Sequence, residues 1–227
     1  MNKKVCGLSP VTSSLSVSSR NRGDAARETG RAATGHAAVR PEHRGGAIWL
    51  TGLSGAGKTT LAEALAVHLR LLGQFVVVLD GDRMRAGLNR DLGFGEADRF
   101  ENVRRLAEVA AVVADAGGVA VVAAIAPLAA MRDAARERIG RAYREVHVRA
   151  PLGVCAARDP KGLYARAQRG ELPGLTGVDA PYEPPADPDL VIDTAEATRE
   201  QCSDMLLWFT LDTFRVRSRD AGAGGAG

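Results

Sequence analysis

The stretch Gly52-Leu53-Ser54-Gly55-Ala56-Gly57-Lys58-Thr59 fits the phosphate-binding loop pattern G-x-x-x-x-G-K-[ST] at every fixed position. Its glycines allow backbone angles that side chains forbid, so that successive N–H groups can surround an anionic phosphate. In such a loop the lysine reaches the β- and γ-phosphates of a nucleotide, and the threonine hydroxyl ligates the Mg²⁺ that the nucleotide carries. The alternative is a glycine-rich turn that only resembles this loop.

The sequence on either side of the loop favours the phosphate-binding interpretation. Residues 47–51 have the pattern of a short buried strand, and residues 61–72 have that of a helix. A strand, a loop and a helix in this order are the setting that the motif requires. A helix that begins near Lys58 also brings the positive end of its dipole to the phosphate.

Length and composition predict one domain with a tail at each end. A chain of 227 residues, of which 45% are hydrophobic, can bury one sizeable core. Residues 1–44 are rich in Ser, Arg, Ala and Gly, and we expect a disordered or poorly ordered tail there, with an organelle transit peptide as the alternative. We expect the domain over residues 45–214 and a Gly/Ala-rich tail over residues 215–227.

Charge, hydropathy and cysteine spacing exclude several function classes. The formal net charge of +3 is small and does not predict a nucleic-acid partner. No run approaches the roughly 18 apolar residues that a membrane span needs. Cys6, Cys155 and Cys202 are far apart and odd in number, which fits neither a disulfide framework nor a zinc site. We therefore expect a cytoplasmic protein whose partners are small molecules.

Two carboxylates follow the second predicted strand. Residues 75–79 form a continuous apolar run, which ends in Asp80-Gly81-Asp82. Open α/β sheets bind ligands at the carboxyl ends of their strands. We expect Asp82 to act as the catalytic base or as an indirect Mg²⁺ ligand, with Asp80 in a supporting role. The alternative is that one of them only caps the helix that follows.

The remainder of the chain alternates strand and helix patterns. Asp98 is predicted to be the N-cap of a long helix that ends near residue 116. The alternation predicts a doubly wound α/β fold of the P-loop NTPase type, a three-layer sandwich in which a five-stranded parallel sheet has helices on both faces. The other predicted strands cover residues 119–124, 143–149 and 190–193, and the other helices cover residues 128–139 and 197–214, with a short one opened by Pro151.

Two polar segments interrupt this alternation. Residues 83–97 are dense in Arg, Asn and Gly and suit a substrate-binding excursion better than a packed element. Residues 159–185, here named the lid segment, are polar and rich in Gly and Pro, and we predict a functional lid rather than a disordered insertion. Arg99 and Asn102 share one face of the long helix, for which a solvated surface is the alternative.

Taken in series, these blocks resemble the adenylylsulfate (APS) kinase family. The phosphate loop alone specifies only a nucleotide, whereas the whole set is far more specific. The matching stretches span about residues 44–194 and comprise residues 52–60, 79–82, 85–89 with 91–94, 98–102 with 104–105, 157–164, and 176–179 with 181–183.

The resemblance implies transfer of the γ-phosphoryl group of ATP to the 3′-hydroxyl of APS, which gives PAPS and ADP. Mg²⁺ would accompany ATP, with Thr59 as its protein ligand, and the enzyme would be a homodimer. By matching positions, the catalytic residues would be Lys58 and Asp82, of which Asp82 orients or deprotonates the 3′-hydroxyl. The ATP site would comprise Gly52, Leu53, Ser54, Gly55, Ala56, Gly57, Lys58, Thr59, Thr60 and Arg158. The acceptor site would comprise Asp80, Arg85, Phe94, Arg99, Asn102, Ile125, Lys161 and Leu175.

Within that acceptor site the resemblance implies individual roles. Arg85, Arg99 and Asn102 would hold the phosphosulfate end, because arginine forks suit sulfate and phosphate oxygens. Phe94 would stack on the adenine of APS, and Lys161 would approach the phosphates from the lid segment.

Two departures from the family pattern lie on the acceptor side. The family's Ile-Ser-Pro segment is Ile125-Ala126-Pro127 here, so a serine often described as a phosphorylated intermediate is missing. Direct in-line transfer does not require that serine. Leu175 replaces a phenylalanine that usually faces Phe94. Two alternatives therefore stay open: a diverged paralogue that phosphorylates another hydroxyl, on a nucleoside or a secondary metabolite, and an inactive nucleotide-binding regulator.

Overall fold

The structure is a computed structural model that describes residues 45–214. The two predicted tails, residues 1–44 and 215–227, lie outside the described residues. A five-stranded parallel sheet forms the middle of the domain, with the strand order β2-β3-β1-β4-β5. The strands are β1 Gly46–Thr51, β2 Val76–Asp80, β3 Val119–Ala123, β4 Tyr143–Arg149 and β5 Leu190–Asp193. The predicted parallel, doubly wound α/β sheet is thus confirmed.

Helices cover both faces of this sheet. Helices α1 and α7 pack on one face, and α3 and α4 pack on the other. No helix within residues 45–214 combines the length and the apolar character needed to cross a bilayer. The helices are α1 Lys58–Leu71, α2 Gly81–Arg85, α3 Glu96–Asp115, α4 Ala129–Ile139, α5 Leu152–Arg158, α6 Leu163–Gln168 and α7 Arg199–Phe214.

Strand β1 lies at the centre of the sheet, between β3 and β4, and all six of its residues are buried. Because successive side chains of a strand point to opposite faces, its residues divide between two cores. Ile48 and Leu50 pack into the core under α1 and α7, whereas Ala47 and Trp49 pack into the core under α3 and α4. Burial on both faces explains why β1 and β3 are largely continuous apolar runs rather than alternating ones.

The start of α3 differs from the prediction. Gly95 is the N-cap, and Asp98 lies in the first turn, where its carboxylate accepts a hydrogen bond from the Gly93 N–H at 3.0 Å. An aspartate in the first turn is also favoured by the helix dipole, so the two positions look alike in the sequence. Asp98 is therefore not the cap.

The two polar segments contain more regular structure than their composition predicts. Residues 83–97 begin inside α2, and the side chain of Asn89 within them is fully buried. The lid segment contains α6, whose Tyr164 is 3% exposed. Packing of a few side chains against the domain overrides the polar character of both segments.

Candidate active site

The predicted site residues meet at the carboxyl edge of the sheet, in a cleft of about 1140 Å³ that residues of the lid segment help to line. All of them line this cleft except Gly52, Leu53 and Ala56, which form the base of the phosphate loop. This edge is where parallel α/β sheets place their ligands.

The phosphate loop has the backbone that its glycines predict. Gly52, Gly55 and Gly57 have φ angles of +148°, +79° and +105°. A Cβ at Gly52 would lie 2.2 Å from the carbonyl oxygen of Val148, and one at Gly55 would lie 2.8 Å from that of Cys155. Gly57 caps α1 without a side-chain acceptor, so the first N–H groups of this helix are available to an anion.

The side chain of Lys58 folds back onto the phosphate loop. Its Nζ donates hydrogen bonds to the carbonyl oxygens of Gly52 and Leu53, both at 2.8 Å. Burial, together with the nearby charge of Lys161, lowers the pKa of Lys58 to about 8. Phosphate oxygens would replace these carbonyls with negative charge, which favours the protonated lysine.

We expect the contribution of Lys58 to the free energy of unfolding, measured without nucleotide, to rise as the pH increases from about 8 to 10.5. Between these values the unfolded chain keeps the Lys58 proton and the folded protein has lost it, so raising the pH favours the folded state. The gain from Lys58 is at most about 3 kcal/mol. Urea denaturation at several pH values, with Lys58→Met as the reference, measures it. Parallel pH dependences for the two proteins would contradict the prediction.

Asp80 caps the helix that follows it, as the alternative interpretation of the sequence predicted, and it also contacts the phosphate loop. Its Oδ1 accepts hydrogen bonds from the N–H groups of Asp82 and Arg83 at 3.0 and 3.1 Å, so it caps α2. Its Oδ2 accepts a hydrogen bond from the Thr59 hydroxyl at 2.6 Å. Asp80 thus contacts the phosphate-loop side of the cleft, although the resemblance placed it in the acceptor site.

Asp82 reaches into the cleft, where it forms an ion pair with Lys161 of the lid segment. Its carboxylate is not used for capping, because Asp80 already caps α2. The charge of the predicted base is therefore offset by a residue of the lid segment.

Arg99 connects α3 to the lid segment. Its Nε donates to the carbonyl oxygen of Phe94 at 2.7 Å, and its two terminal nitrogens donate to the Thr176 hydroxyl and to the Gly174 carbonyl oxygen, each at 2.6 Å. The solvated-surface alternative for Arg99 is therefore wrong.

Phe94 and Leu175 have different surroundings in this cleft. The guanidinium of Arg85 lies 4.5 Å from the centre of the Phe94 ring, which is 69% exposed. Leu175 is only 7% exposed and packs in the core that contains α1. The aromatic ring thus offers an open face for stacking, and the leucine forms part of the wall.

Asn102 and Arg158 are each held by a residue that the sequence analysis did not assign to the site. The side-chain amide of Asn89 donates to Asn102 Oδ1 at 2.8 Å. Arg158 donates to the hydroxyl and the carbonyl oxygen of Thr194 at 2.9 and 2.6 Å. The Thr194 hydroxyl in turn donates to the Ala56 carbonyl at 2.9 Å. Both predicted side chains are therefore fixed in place.

Positive charge dominates the lining of the cleft. Two acidic side chains, Asp80 and Asp82, face eight basic ones. Such a lining suits a ligand with several negative charges. The basic residues are Lys58, Arg83, Arg85, Arg99, Arg158, Lys161, Arg166 and Arg199.

The model of one protein family, adenylylsulphate kinase, matches residues 44–193. The chain belongs to this family. The adenylyl-sulfate kinase of Paraburkholderia xenovorans is 54% identical over 173 residues, which are 76% of this chain and 97% of that relative. The adenylyl-sulfate kinase of Bacillus velezensis is 46% identical over 169 residues, 74% of this chain and 86% of that one.

Solved structures of the adenylylsulfate kinase family share the fold. The structure of the Mycobacterium tuberculosis APS kinase CysC in complex with AMPPNP and APS has a TM-score of 0.69 and 46% identity. The match covers 72% of this chain and 96% of that chain. The hexameric APS kinase from Thiobacillus denitrificans has a TM-score of 0.59 and 32% identity, and the match covers 78% of this chain and 31% of that one.

Two residues that hold parts of the cleft, Thr194 and Tyr164, could have been identified from the sequence. Thr194 directly follows β5, and residues at the carboxyl ends of parallel strands are candidates for any α/β site. Tyr164, whose hydroxyl donates to the Ser54 carbonyl at 2.9 Å, ends one of the stretches that resemble the family. Asn89 also lies in such a stretch, but its contact with Asn102 joins two separate elements.

Proposed function

We propose that this chain transfers the γ-phosphoryl group of ATP to the 3′-hydroxyl of APS and releases PAPS and ADP. The observation that carries the proposal is that one cleft is lined by most of the phosphate loop, by the carboxylate of Asp82 and by the side chains of Arg85, Arg99 and Asn102. Membership of the adenylylsulfate kinase family supports APS as the acceptor.

Phosphoryl transfer depends on positioning and on neutralising charge more than on covalent catalysis. The phosphate loop and Lys58 would hold the β- and γ-phosphates, and Arg158 would lie against the nucleotide. Arg85, Arg99 and Asn102 would hold the phosphosulfate of the acceptor, with Phe94 on its adenine. Asp82 would then orient the 3′-hydroxyl or accept its proton, once Lys161 has left it for the phosphates.

The residues around Thr59 fit a magnesium ion that enters with ATP. The Thr59 hydroxyl and the Asp80 carboxylate are adjacent oxygen donors, and Mg²⁺ is commonly bound by one or two protein oxygens together with substrate phosphates. Among residues 45–214, no group of three or more His, Cys, Asp or Glu side chains could hold a metal. Bound Mg²⁺ would neutralise charge on the phosphates.

We also propose that the lid segment, residues 159–185, closes over the bound substrates, and that the enzyme is a cytoplasmic homodimer without nucleic-acid or membrane partners. The lid proposal rests on the contacts that Lys161 and Thr176 already make with the rest of the cleft. Within the described residues, Cys155 and Cys202 are buried free thiols, which agrees with a reducing compartment.

Product analysis tests the proposed reaction. The purified protein is incubated with Mg-ATP and, separately, with APS, adenosine 5′-phosphates and other nucleosides, and the products are separated by chromatography. Formation of PAPS supports the proposal. Consumption of ATP only with another acceptor would instead support the diverged paralogue, to which Ala126 and Leu175 point. ATP binding without any turnover would support the regulator.

A further inference from the structure

The segment Ile125-Ala126-Pro127, here named the 125–127 wall, lines the cleft, and each of its carbonyl oxygens is held by a different element. The first accepts a hydrogen bond from the Thr51 hydroxyl of β1 at 2.5 Å. The second accepts one from Arg132 of α4 at 2.8 Å. The third accepts one from the N–H of Glu183, in the lid segment, at 2.8 Å. The wall is thus fixed by the sheet, by a helix and by the lid segment together.

The middle residue of the wall has an unfavourable backbone. Ala126 has a φ angle of +42°, in the left-handed region, and is 3% exposed. A residue with a Cβ adopts this conformation at a cost in free energy and keeps it only where its surroundings impose it. The hydrogen bond from Arg132 to the Ala126 carbonyl oxygen is the side-chain contact that holds Ala126 directly.

Arg132 is itself fixed by a buried ion pair. Its side chain is 4% exposed, and its Nε lies 2.9 Å from Oε1 of Glu145, a residue of β4 that is 7% exposed. The other oxygen of Glu145 accepts a hydrogen bond from Arg136 at 3.1 Å. A guanidinium is a planar fork, so holding its Nε against Glu145 also sets the direction of its terminal nitrogens. One of these nitrogens donates to the Ala126 carbonyl.

We propose that Arg132 is a positioning residue for the acceptor substrate. Held by Glu145, it keeps Ala126 in the left-handed conformation and so fixes the surface that the 125–127 wall presents to the acceptor. Arg132 does not line the cleft, and it acts only through the wall. This inference rests on the proposed function, because it assigns the wall to the APS side of the cleft.

Steady-state kinetics with Arg132→Met and Arg136→Met test the proposal. The two arginines lie on the same helix and contact the same carboxylate, but only Arg132 contacts the wall. In Arg132→Met we expect the KM for APS to rise about tenfold, since a small displacement of a positioning surface has effects of this order. The KM for ATP should stay within about twofold of wild type. In Arg136→Met both constants should stay within that range. Equal KM values for APS in the two variants would overturn the proposal.

A second substitution separates positioning from a loss of stability. Glycine adopts the left-handed conformation without the cost that a Cβ adds. In the double variant Arg132→Met with Ala126→Gly, the KM for APS should therefore be at least about threefold lower than in Arg132→Met alone. If the melting temperature recovers and this KM does not, Arg132 is only a structural residue and the proposal is wrong.

Amide exchange tests the wall independently of the acceptor. The N–H of Ala129 donates to the Glu183 carboxylate at 2.6 Å, and the N–H of Glu183 donates to the wall. In Arg132→Met both amides should exchange faster, by about fivefold or more, and in Arg136→Met they should not. Unchanged exchange in both variants would overturn the proposal.

The outcomes also separate this inference from the proposed function. If the wild-type protein forms no PAPS, the proposed function fails, and the exchange rates alone decide whether Arg132 holds the wall. If Arg132→Met does not fold, Arg132→Lys takes its place in both experiments, because a single ammonium keeps the charge beside Glu145 without the fork. Wild-type KM and exchange rates in Arg132→Lys would contradict the proposal.

Discussion

Asp82→Asn is expected to lower the kcat for PAPS formation by about 10²- to 10⁴-fold, while the Kd for ATP changes by less than about threefold. Its carboxylate points into the cleft and pairs with Lys161, so the substitution removes a proton acceptor and weakens one exposed ion pair. The N–H of residue 82 still donates to Asp80, and the cap of α2 is preserved. Single-turnover kinetics and calorimetry with a non-hydrolysable ATP analogue measure the two quantities.

Asp91→Asn is the matched control for that experiment. Asp91 is an exposed carboxylate that pairs with Arg105, and it does not line the cleft. Exposed ion pairs contribute little to stability, so kcat and the Kd for ATP should both stay near the wild-type values. A kcat for Asp82→Asn within about tenfold of wild type would remove Asp82 from its proposed role.

Gly52→Ala is expected to raise the Kd for ATP at least about 100-fold and to lower the melting temperature. The added Cβ would lie 2.2 Å from the carbonyl oxygen of Val148, a backbone atom of β4 that cannot rotate away as a side chain can. The φ angle of +148° is also one that residues with a Cβ rarely adopt. Relief of the clash requires the loop or β4 to shift, and either shift changes the ring of N–H groups.

Gly153→Ala provides the comparison for this substitution. Gly153 lies in α5, and a Cβ there has no heavy atom within 4 Å. Alanine has the higher helix propensity, so the melting temperature should hold or rise and ATP binding should be unaffected. Calorimetric titration with ATP and thermal denaturation of both variants measure the contrast. Similar affinities of Gly52→Ala and wild type for ATP would show that the loop can relax around a methyl group.

The sequence predicts well those features in which one physical requirement determines the types of several neighbouring residues. The continuous apolar runs of β1 and β3 follow from burial on both faces, and the phosphate loop follows from glycines whose backbone angles few other residues can adopt. Thr59 and Asp80 could both be predicted to lie in the cleft. Asp80 ends a predicted strand, and Thr59 ends the phosphate-loop motif that follows another one.

The features that the sequence does not predict depend on contacts between separate elements. Asp98 differs from a cap only by its bond to Gly93, which no local pattern encodes. The pairing of Arg132 with Glu145 joins α4 to β4, and both residues look like ordinary surface charges in the sequence. Ala126 has no local signal for its left-handed backbone, because alanine is common in every conformation except that one.

Strand β1 connects the phosphate loop to both hydrophobic cores of the domain. It carries the phosphate loop at its end, while alternate side chains of the strand belong to the two cores. A change in either core, on either face of the sheet, therefore reaches the phosphate loop through the same six residues. Selection for turnover is then also selection for packing, so substitutions in the two cores are expected to evolve together rather than independently.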